Sequence, residues 1–481
     1  MPNLRVITRQ WFHILNVHKF PLLLIILCYG ITQQLIFNQN PLLGPYPDSP
    51  SYITLAHHIS ANFLAGDMLR AYGYPIFLVP IFALTGENYT ALIVVQALFV
   101  LAAIIEVYVL GYRLTHNQFV ATIPAVLLAI NIYVAQWERM VMTETLVVWV
   151  IVTTFLVFER YLTSPKRSLL IWIGLLNGWT ILIRPNYIFL PILLGVVIVI
   201  YHLYQTNRTI AWQQLLIVAG IAYGLVVGQM LINYTSPNHY FGISITADVN
   251  LFGKIIEYQM EDESTNPKYA QLSADLHQFI AQGGNIPWFF LDKHPEYTIP
   301  MIGSYSRDII IHHPFQFTKN LKRDLYDTVN IPPWPYGGIV IPAQGISAQL
   351  ASLSRTIFSY TYRFLPVTAI LAIILVVLER KQLSTRRLMY ATLMSFVLTT
   401  VLLTAVGNYG NAGYVEYYRL RFPSDWALLL LTCVLLWEAG RLLLGGQTTQ
   451  QKTSISIPED FAPPVGFPAS AKTDGWISPS A

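Results

Sequence analysis

Runs of about 20 mainly apolar residues recur along most of the chain, roughly at 20–37, 90–112, 119–136, 143–160, 168–184, 187–204, 213–233, 357–378, 388–406 and 425–444. A helix of that length crosses the hydrocarbon of a bilayer. Inside lipid every backbone polar group must be satisfied within the structure, so such runs are expected to be helical. Only 11% of the 481 residues are charged, against about a quarter in soluble domains. The expected fold is an all-α polytopic membrane protein of about ten transmembrane helices. The stretch "YGYPIFLVPIFALTG", residues 72–86, is too short to span and contains Pro75 and Pro80. It reads as an interfacial or re-entrant helix.

Charge sets the sides. Arg5, Arg9 and Lys19 hold the N-terminus in the cytoplasm, and the first apolar run reads as a retained span, not a cleaved signal. Counting from there, Arg113, Arg160, Lys166, Arg167, Arg386, Arg387 and Arg441 fall in the cytoplasm, as the positive-inside rule requires. The C-terminus is then cytoplasmic as well. The outer side receives a first loop, 38–89, and a long segment, 234–356. The latter holds helix-like pieces ("KYAQLSADLHQFIAQ", "SRDIIIHHPFQFTKNLKRDLYDTV") split by "GGNIPW" and "NIPPWPYGG". It is expected to form a small, mainly helical extracytoplasmic cap on outer-face juxtamembrane helices. Residues 1–445 make one transmembrane domain, and the Gly-, Ser- and Pro-containing residues 446–481 a disordered cytoplasmic tail.

Net charge is only +4, without a strongly basic block, so nucleic acid is not an expected partner. Cys28 and Cys433 lie within apolar runs and suggest neither a disulfide nor a metal-thiolate site. Adjacent histidines on a helix diverge, so His57–His58 and His312–His313 make poor metal pairs. There is no G-x-x-x-x-G-K-[ST] loop, no G-x-S-x-G elbow and no H-E-x-x-H helix.

Four polar features fall on the outer side although they are far apart in sequence: Asp48 in "PYPDSPSYITLAHHI", the stretch "ERMVMTETL" with Arg139 and Glu144, "IRPNY" with Arg184, and "YYRLRFP" with Arg419 and Arg421. Charges near the hydrocarbon are costly and tend to face a bundle interior or a wet cavity. Each also has a plainer explanation. Asp48 could cap the helix that follows, Glu144 could cap its own span or pair with Arg139, and arginines at span ends commonly snorkel.

The motifs "PDSPSYITLAHHI", "RAYGYPIFLVPIFALTG", "MTETL", "LIRP", "HHPFQF" and "YRLRFP", in this order, resemble those of C-fold (GT-C) membrane glycosyltransferases. The nearest groups are the bacterial relatives of the dolichyl-phosphate-mannose protein mannosyltransferases and of the aminoarabinose lipid A transferases. The resemblance implies transfer of a sugar from a polyprenyl-phosphate carrier to a lipid, glycan or protein acceptor on the outer face of the plasma (inner) membrane. It places the acid and the Tyr four residues on at Asp48 and Tyr52. The span-head acid falls at Glu144, the Arg-Pro pair at Arg184 and Pro185, and the late R-x-x-x-P at Arg419 and Pro423.

Asp48 and Glu144 are thus the candidate catalytic residues, with Asp48 as the base of an inverting reaction. Tyr52, Arg70, Tyr74, Arg139, Arg184, Arg419 and Arg421 are the candidate substrate-binding residues. Many relatives carry two adjacent acids in the first loop; here Ser49 follows Asp48. The expected mechanism is therefore metal-independent, with no cofactor. Two other functions fit a polytopic chain: a lipid-linked oligosaccharide polymerase or ligase, and a non-enzymatic lipid or polysaccharide transporter. Transporters favour internal repeats and midplane charges, whereas here no repeat is evident and the charges gather at one face.

Overall fold

The computed structural model describes residues 4–38, 48–204, 208–237, 239–264, 266–335, 341, 344–378, 384–409 and 414–444. Pro45 and Pro47 of the first loop and residues 445–481 of the expected tail lie outside them. Every regular element among the described residues is helical. In chain order the first half contributes α1 (Leu4–Phe37), α2 (Ser49–Ala61), α3 (Gly73–Thr85), α4 (Tyr89–Thr115), α5 (Gln118–Ala129), α6 (Ile132–Ala135), α7 (Glu144–Thr163), α8 (Arg167–Ile183), α9 (Leu190–Tyr204) and α10 (Arg208–Thr235). The inserted segment contributes α11 (Thr246–Tyr258), α12 (Ala270–Ala281), α13 (Pro287–Lys293), α14 (Ile299–His312) and α15 (Pro314–Asn330). The chain then returns to the bundle with α16 (Ile346–Arg363), α17 (Leu365–Leu378), α18 (Thr385–Gly407), α19 (Tyr414–Arg421) and α20 (Asp425–Leu443).

The protein is an integral membrane protein. Seven helical stretches among the described residues are long and apolar enough to cross a bilayer, and two bent pairs raise this to nine. The sequence count of about ten includes α8, which falls among the shorter apolar helices, and two of its runs are the bent pairs. Helix α8 has only 17 residues, about 25 Å at 1.5 Å per residue, because Pro185 follows Arg184 and the helix cannot run on. The run at 119–136 is bent by 53°, where Asn131 accepts from Tyr133 N and starts a new short helix. The helices α16 and α17 meet at 52° around Phe364, just before Pro366. Helix α3, 13 residues long with Pro80 inside, stays a short apolar helix.

Helix α7 buries most of its length, with Val147, Ile151, Phe155 and Phe158 fully enclosed. Phe155 packs tilted against Phe396 of α18 at 5.2 Å and edge-on against Trp426 of α20 at 5.5 Å. Gly174 and Gly178 of α8 let α10 come close: a Cβ on Gly178 would lie 2.7 Å from the Leu225 side chain and 3.1 Å from the Ala222 carbonyl oxygen. Such small-residue faces replace the missing hydrophobic drive in lipid with close packing.

The inserted helices have a smaller core of their own. It includes Val249, Phe252, Phe290, Ile302, Tyr305 and Ile309, and rests on Ala405 of α18. Lys254 of α11 is fully buried. It reaches Asp324 of α15 and Glu257, and lies over the rings of Tyr258 and Tyr417. A buried ammonium is tolerated when it is paired in this way. Contacts divide the chain into two units, Met1–Trp437 and Glu438–Ala481. Of the second, residues 438–444 are described, and Arg441 there lies 3.5 Å from Glu438.

Candidate active site

Asp48 sits just before α2 but does not cap it, since its side chain accepts no hydrogen bond from the helix amides. Its carboxylate turns onto two arginines instead. Oδ1 accepts from Arg70 Nη2 at 2.9 Å, and Oδ2 from Arg419 Nη2 at 2.9 Å. Ser51 completes the corner, donating to the Asp48 carbonyl oxygen at 2.7 Å and accepting from Arg70 Nε at 2.7 Å.

Arg70 is held by its backbone. Asp67 Oδ1 accepts from the amides of Leu69 and Arg70, both at 2.6 Å. The loop is tied to α10 by Asn233 and Gln229, which accept from the amides of Asp67 and Tyr72. The Arg70 guanidinium lies 4.5 Å over the Tyr52 ring. Tyr74 packs edge-on against Tyr52 at 5.3 Å and donates to Gln96 Oε1 at 2.9 Å. Tyr74 is fully buried, so it supports Tyr52 from behind. Its neighbour Gly73 permits this, because a Cβ there would lie 2.4 Å from the amide nitrogen of Ile183 at the end of α8.

Glu144 opens α7 and is completely buried. A carboxylate in a first helical turn is favoured by the helix dipole. Oε1 accepts from Arg419 Nε at 2.6 Å and lies 3.5 Å from Arg184 Nη1. Arg184 extends from the end of α8, 7% exposed, and Nη1 has no hydrogen-bond partner among the described residues. Arg419 is the hub. Besides Asp48 and Glu144 it reaches Glu416, one turn back on α19, at 3.3 Å. Three acids and three arginines therefore close into one balanced cluster, drawn from the loop before α2, the loop before α3, the head of α7, the two ends of α19 and the end of α8.

Burial by itself would raise the Asp48 carboxyl. The charges of Arg419 and Arg70 outweigh it and hold the group down at about 2. Asp48 is therefore ionised at neutral pH, and its side chain keeps 31% of its surface open.

Two arginines of the sequence set lie elsewhere. Arg421 follows Arg419 by two residues, about 200° round the helix. It is fully buried, donates to the Thr328 carbonyl oxygen at 2.5 Å and stacks 3.7 Å over Tyr362. It anchors α19 to α15 and α16, so that Arg419 faces the cluster. Arg139 turns to α1, where Nη2 lies 3.2 Å from Gln33 Oε1. Glu138 beside it accepts from Tyr29 and Gln33, so this group ties α1 to the turn before α7. Sequence reasoning did not single out Glu416 or Ser51. The i, i+3 spacing of Glu416 and Arg419 was the available signal. His57 meets Glu87 at 3.0 Å, while His313 meets Glu263 at 3.3 Å and His312 lies 3.5 Å from Asp308.

Residues 71–231, about a third of the chain, match the family model described as dolichyl-phosphate-mannose-protein mannosyltransferase. This bears out the resemblance to GT-C glycosyltransferases over that stretch, which includes Glu144 and Arg184 and excludes Asp48, Arg70 and Arg419. Among curated proteins none matches. Solved structures that are similar include the archaeal oligosaccharyltransferase AglB from Archaeoglobus fulgidus, in complex with an inhibitory peptide and a dolichol-phosphate (14% identity, TM-score 0.41, 89% of this chain and 51% of that one). ArnT from Cupriavidus metallidurans bound to undecaprenyl phosphate is another (14% identity, TM-score 0.34, 90% and 80%), and its apo state a third (14%, 0.34, 88% and 79%). The chain spans about half the length of that AglB structure.

Proposed function

We propose that the protein transfers a sugar from a polyprenyl-phosphate carrier to an acceptor at the cluster of Asp48, Glu144, Arg70, Arg184 and Arg419. The observation that carries this reading is the buried Arg184 Nη1, a cationic donor that has no hydrogen-bond acceptor among the described residues and joins the partly open Asp48 through Glu144 and Arg419. An anion such as a phosphate is the natural acceptor for that donor. The match of residues 71–231 to the mannosyltransferase family supports the choice of a carrier phosphate.

In the reaction we propose, the acceptor's O–H or N–H proton passes to an Asp48 oxygen as its O or N bonds the sugar C1. The C1–O bond to the carrier breaks on the opposite face, inverting that carbon. The carrier phosphate leaves with the bond's electron pair and takes its added charge onto Arg184. A base held as low as Asp48 is weak, since an effective one titrates near the working pH. Both its oxygens are engaged by arginines, so a bound phosphate that draws Arg419 or Arg70 away frees an oxygen and raises the carboxyl toward its ordinary range. Before the carrier binds, both Asp48 oxygens are held by arginines, which supports a metal-independent reaction. An N-terminus held in the cytoplasm by the positive-inside rule supports an extracytoplasmic face for the cluster.

The test is carrier binding and turnover of radiolabelled polyprenyl-phosphate sugar by Arg184→Lys and Arg184→Ala in nanodiscs. Lys keeps the charge and loses the planar fork. Reduced carrier affinity in Lys and a larger loss in Ala support the reading. Full activity of both removes Arg184 from the phosphate site.

A further inference from the structure

The inserted helices carry a second group of ligating side chains, apart from the arginine–carboxylate cluster. Glu261, Asp262 and His277 each offer one ligand atom, and the three atoms lie within 4.8 Å of one another. His277 Nδ1, on α12, is 3.0 Å from Asp262 Oδ2 and 3.5 Å from Glu261 Oε1. We infer that this is a binding site for a transition-metal dication of the zinc type, clipping α12 to the turn that follows α11.

The argument rests on Glu261. Its residue surface is 6% exposed, and Oε2 is buried without a hydrogen-bond partner. Among the described residues its carboxylate has no ion-pair partner other than His277. Nor does the carboxylate hold the turn in place. The Glu261 main-chain oxygen does that, accepting from Ser273 Oγ and Tyr305 OH, both at 2.5 Å. A buried carboxylate oxygen with no donor is costly to keep. A cation seated between Glu261, Asp262 and His277 supplies the missing partner.

A neighbouring group gives the contrast. Asp275, His294 and Glu296 are gathered as closely. There, however, Asp275 accepts from Tyr297 OH and from Gln271 Nε2 at 2.9 Å, so both its oxygens are satisfied without an ion.

Donor chemistry selects the metal. One imidazole with two carboxylates suits zinc and its first-row neighbours, whereas magnesium and calcium prefer all-oxygen shells. Asp262 and His277 are 66% and 58% exposed on their side chains, so an ion has access, and water completes the shell. The role is structural and does not depend on the transfer reaction.

The experiment uses the full chain, purified in detergent on a tag without histidines and stripped with chelator. Zinc chloride is titrated by calorimetry, and thermal unfolding is followed in parallel. One zinc per chain is expected, with a zinc-dependent rise in Tm that magnesium does not reproduce. His277→Ala, at an exposed position, and the isosteric Glu261→Gln should each weaken zinc binding about tenfold or more. His294→Ala should leave it unchanged. Absence of saturable zinc binding overturns the inference. So does binding that survives both His277→Ala and Glu261→Gln, or that is lost with His294→Ala.

Discussion

The Arg419 hub gives a prediction whose size follows from the burial of its partners. Arg419→Met keeps most of the apolar stem and removes the guanidinium. Asp48, with 31% of its side chain exposed, can rehydrate and still has Arg70. Glu144 cannot rehydrate: it is fully buried and loses the 2.6 Å bond, keeping Arg184 at 3.5 Å as its cation and Thr143 Oγ1 at 3.4 Å. Removing one partner of a buried ion pair costs about 3–5 kcal/mol. The remaining arginine puts the expected loss near the lower end, about 3 kcal/mol. Adding Glu144→Gln removes the stranded charge, and the double variant should regain about 1–3 kcal/mol relative to Arg419→Met. The assay is thermal unfolding in one detergent of wild type, both single variants and the double. The Tm of the double variant should lie above that of Arg419→Met. A double variant that unfolds lower still, by the sum of the single effects, refutes the reasoning that Glu144 depends on Arg419.

Acidification offers a check on Asp48. Its folded value, about 2, lies below the ordinary 3.8, so its ion pairs stabilise the protein above about pH 4. That stability is lost as pH falls through about 2, by at most about 2 kcal/mol before solvent screening. Asp48→Asn should therefore show a smaller drop in stability between pH 4 and pH 2 than wild type, read by unfolding at each pH. Gly73→Ala should destabilise by about 1–3 kcal/mol, since its Cβ meets rigid backbone of α8, and should cut turnover with it; unchanged Tm contradicts the close approach. In a background lacking Cys28 and Cys433, a cysteine at Asn62 should react with an impermeant thiol reagent from outside, and one at Lys166 should not. Labelling of both from one side overturns the topology.

Much of the cluster was readable because each member sits at a chemically conspicuous place in the chain. Asp48 follows an apolar run, Glu144 heads one, Arg184 precedes a proline and Arg419 stands before another span. The direction of neighbouring side chains was not readable. Arg419 and Arg421 look alike in "YRLRF", and only the packing of Arg421 under Tyr362 separates hub from anchor. Arg139 and Glu144 share one short motif, but the turn at Trp137–Arg139 sends Arg139 toward α1. Asp48 has the sequence of an N-cap, and long-range arginines outcompete the helix amides for it. Hydropathy gave the apolar runs but not the bends at Asn131 and Phe364, and α8, with 17 residues, is the one run of the ten that is not among the longer candidate spans.

The central claim is that Asp48 accepts the proton in sugar transfer at this cluster. Its most direct test is release of polyprenyl phosphate from a radiolabelled polyprenyl-phosphate sugar by wild type and Asp48→Asn, side by side in nanodiscs, with carrier binding measured on the same samples. The account predicts that Asp48→Asn binds carrier within a few-fold of wild type while turnover falls by about 10²–10⁴. Turnover within a few-fold of wild type would contradict it and pass the role of base to Glu144.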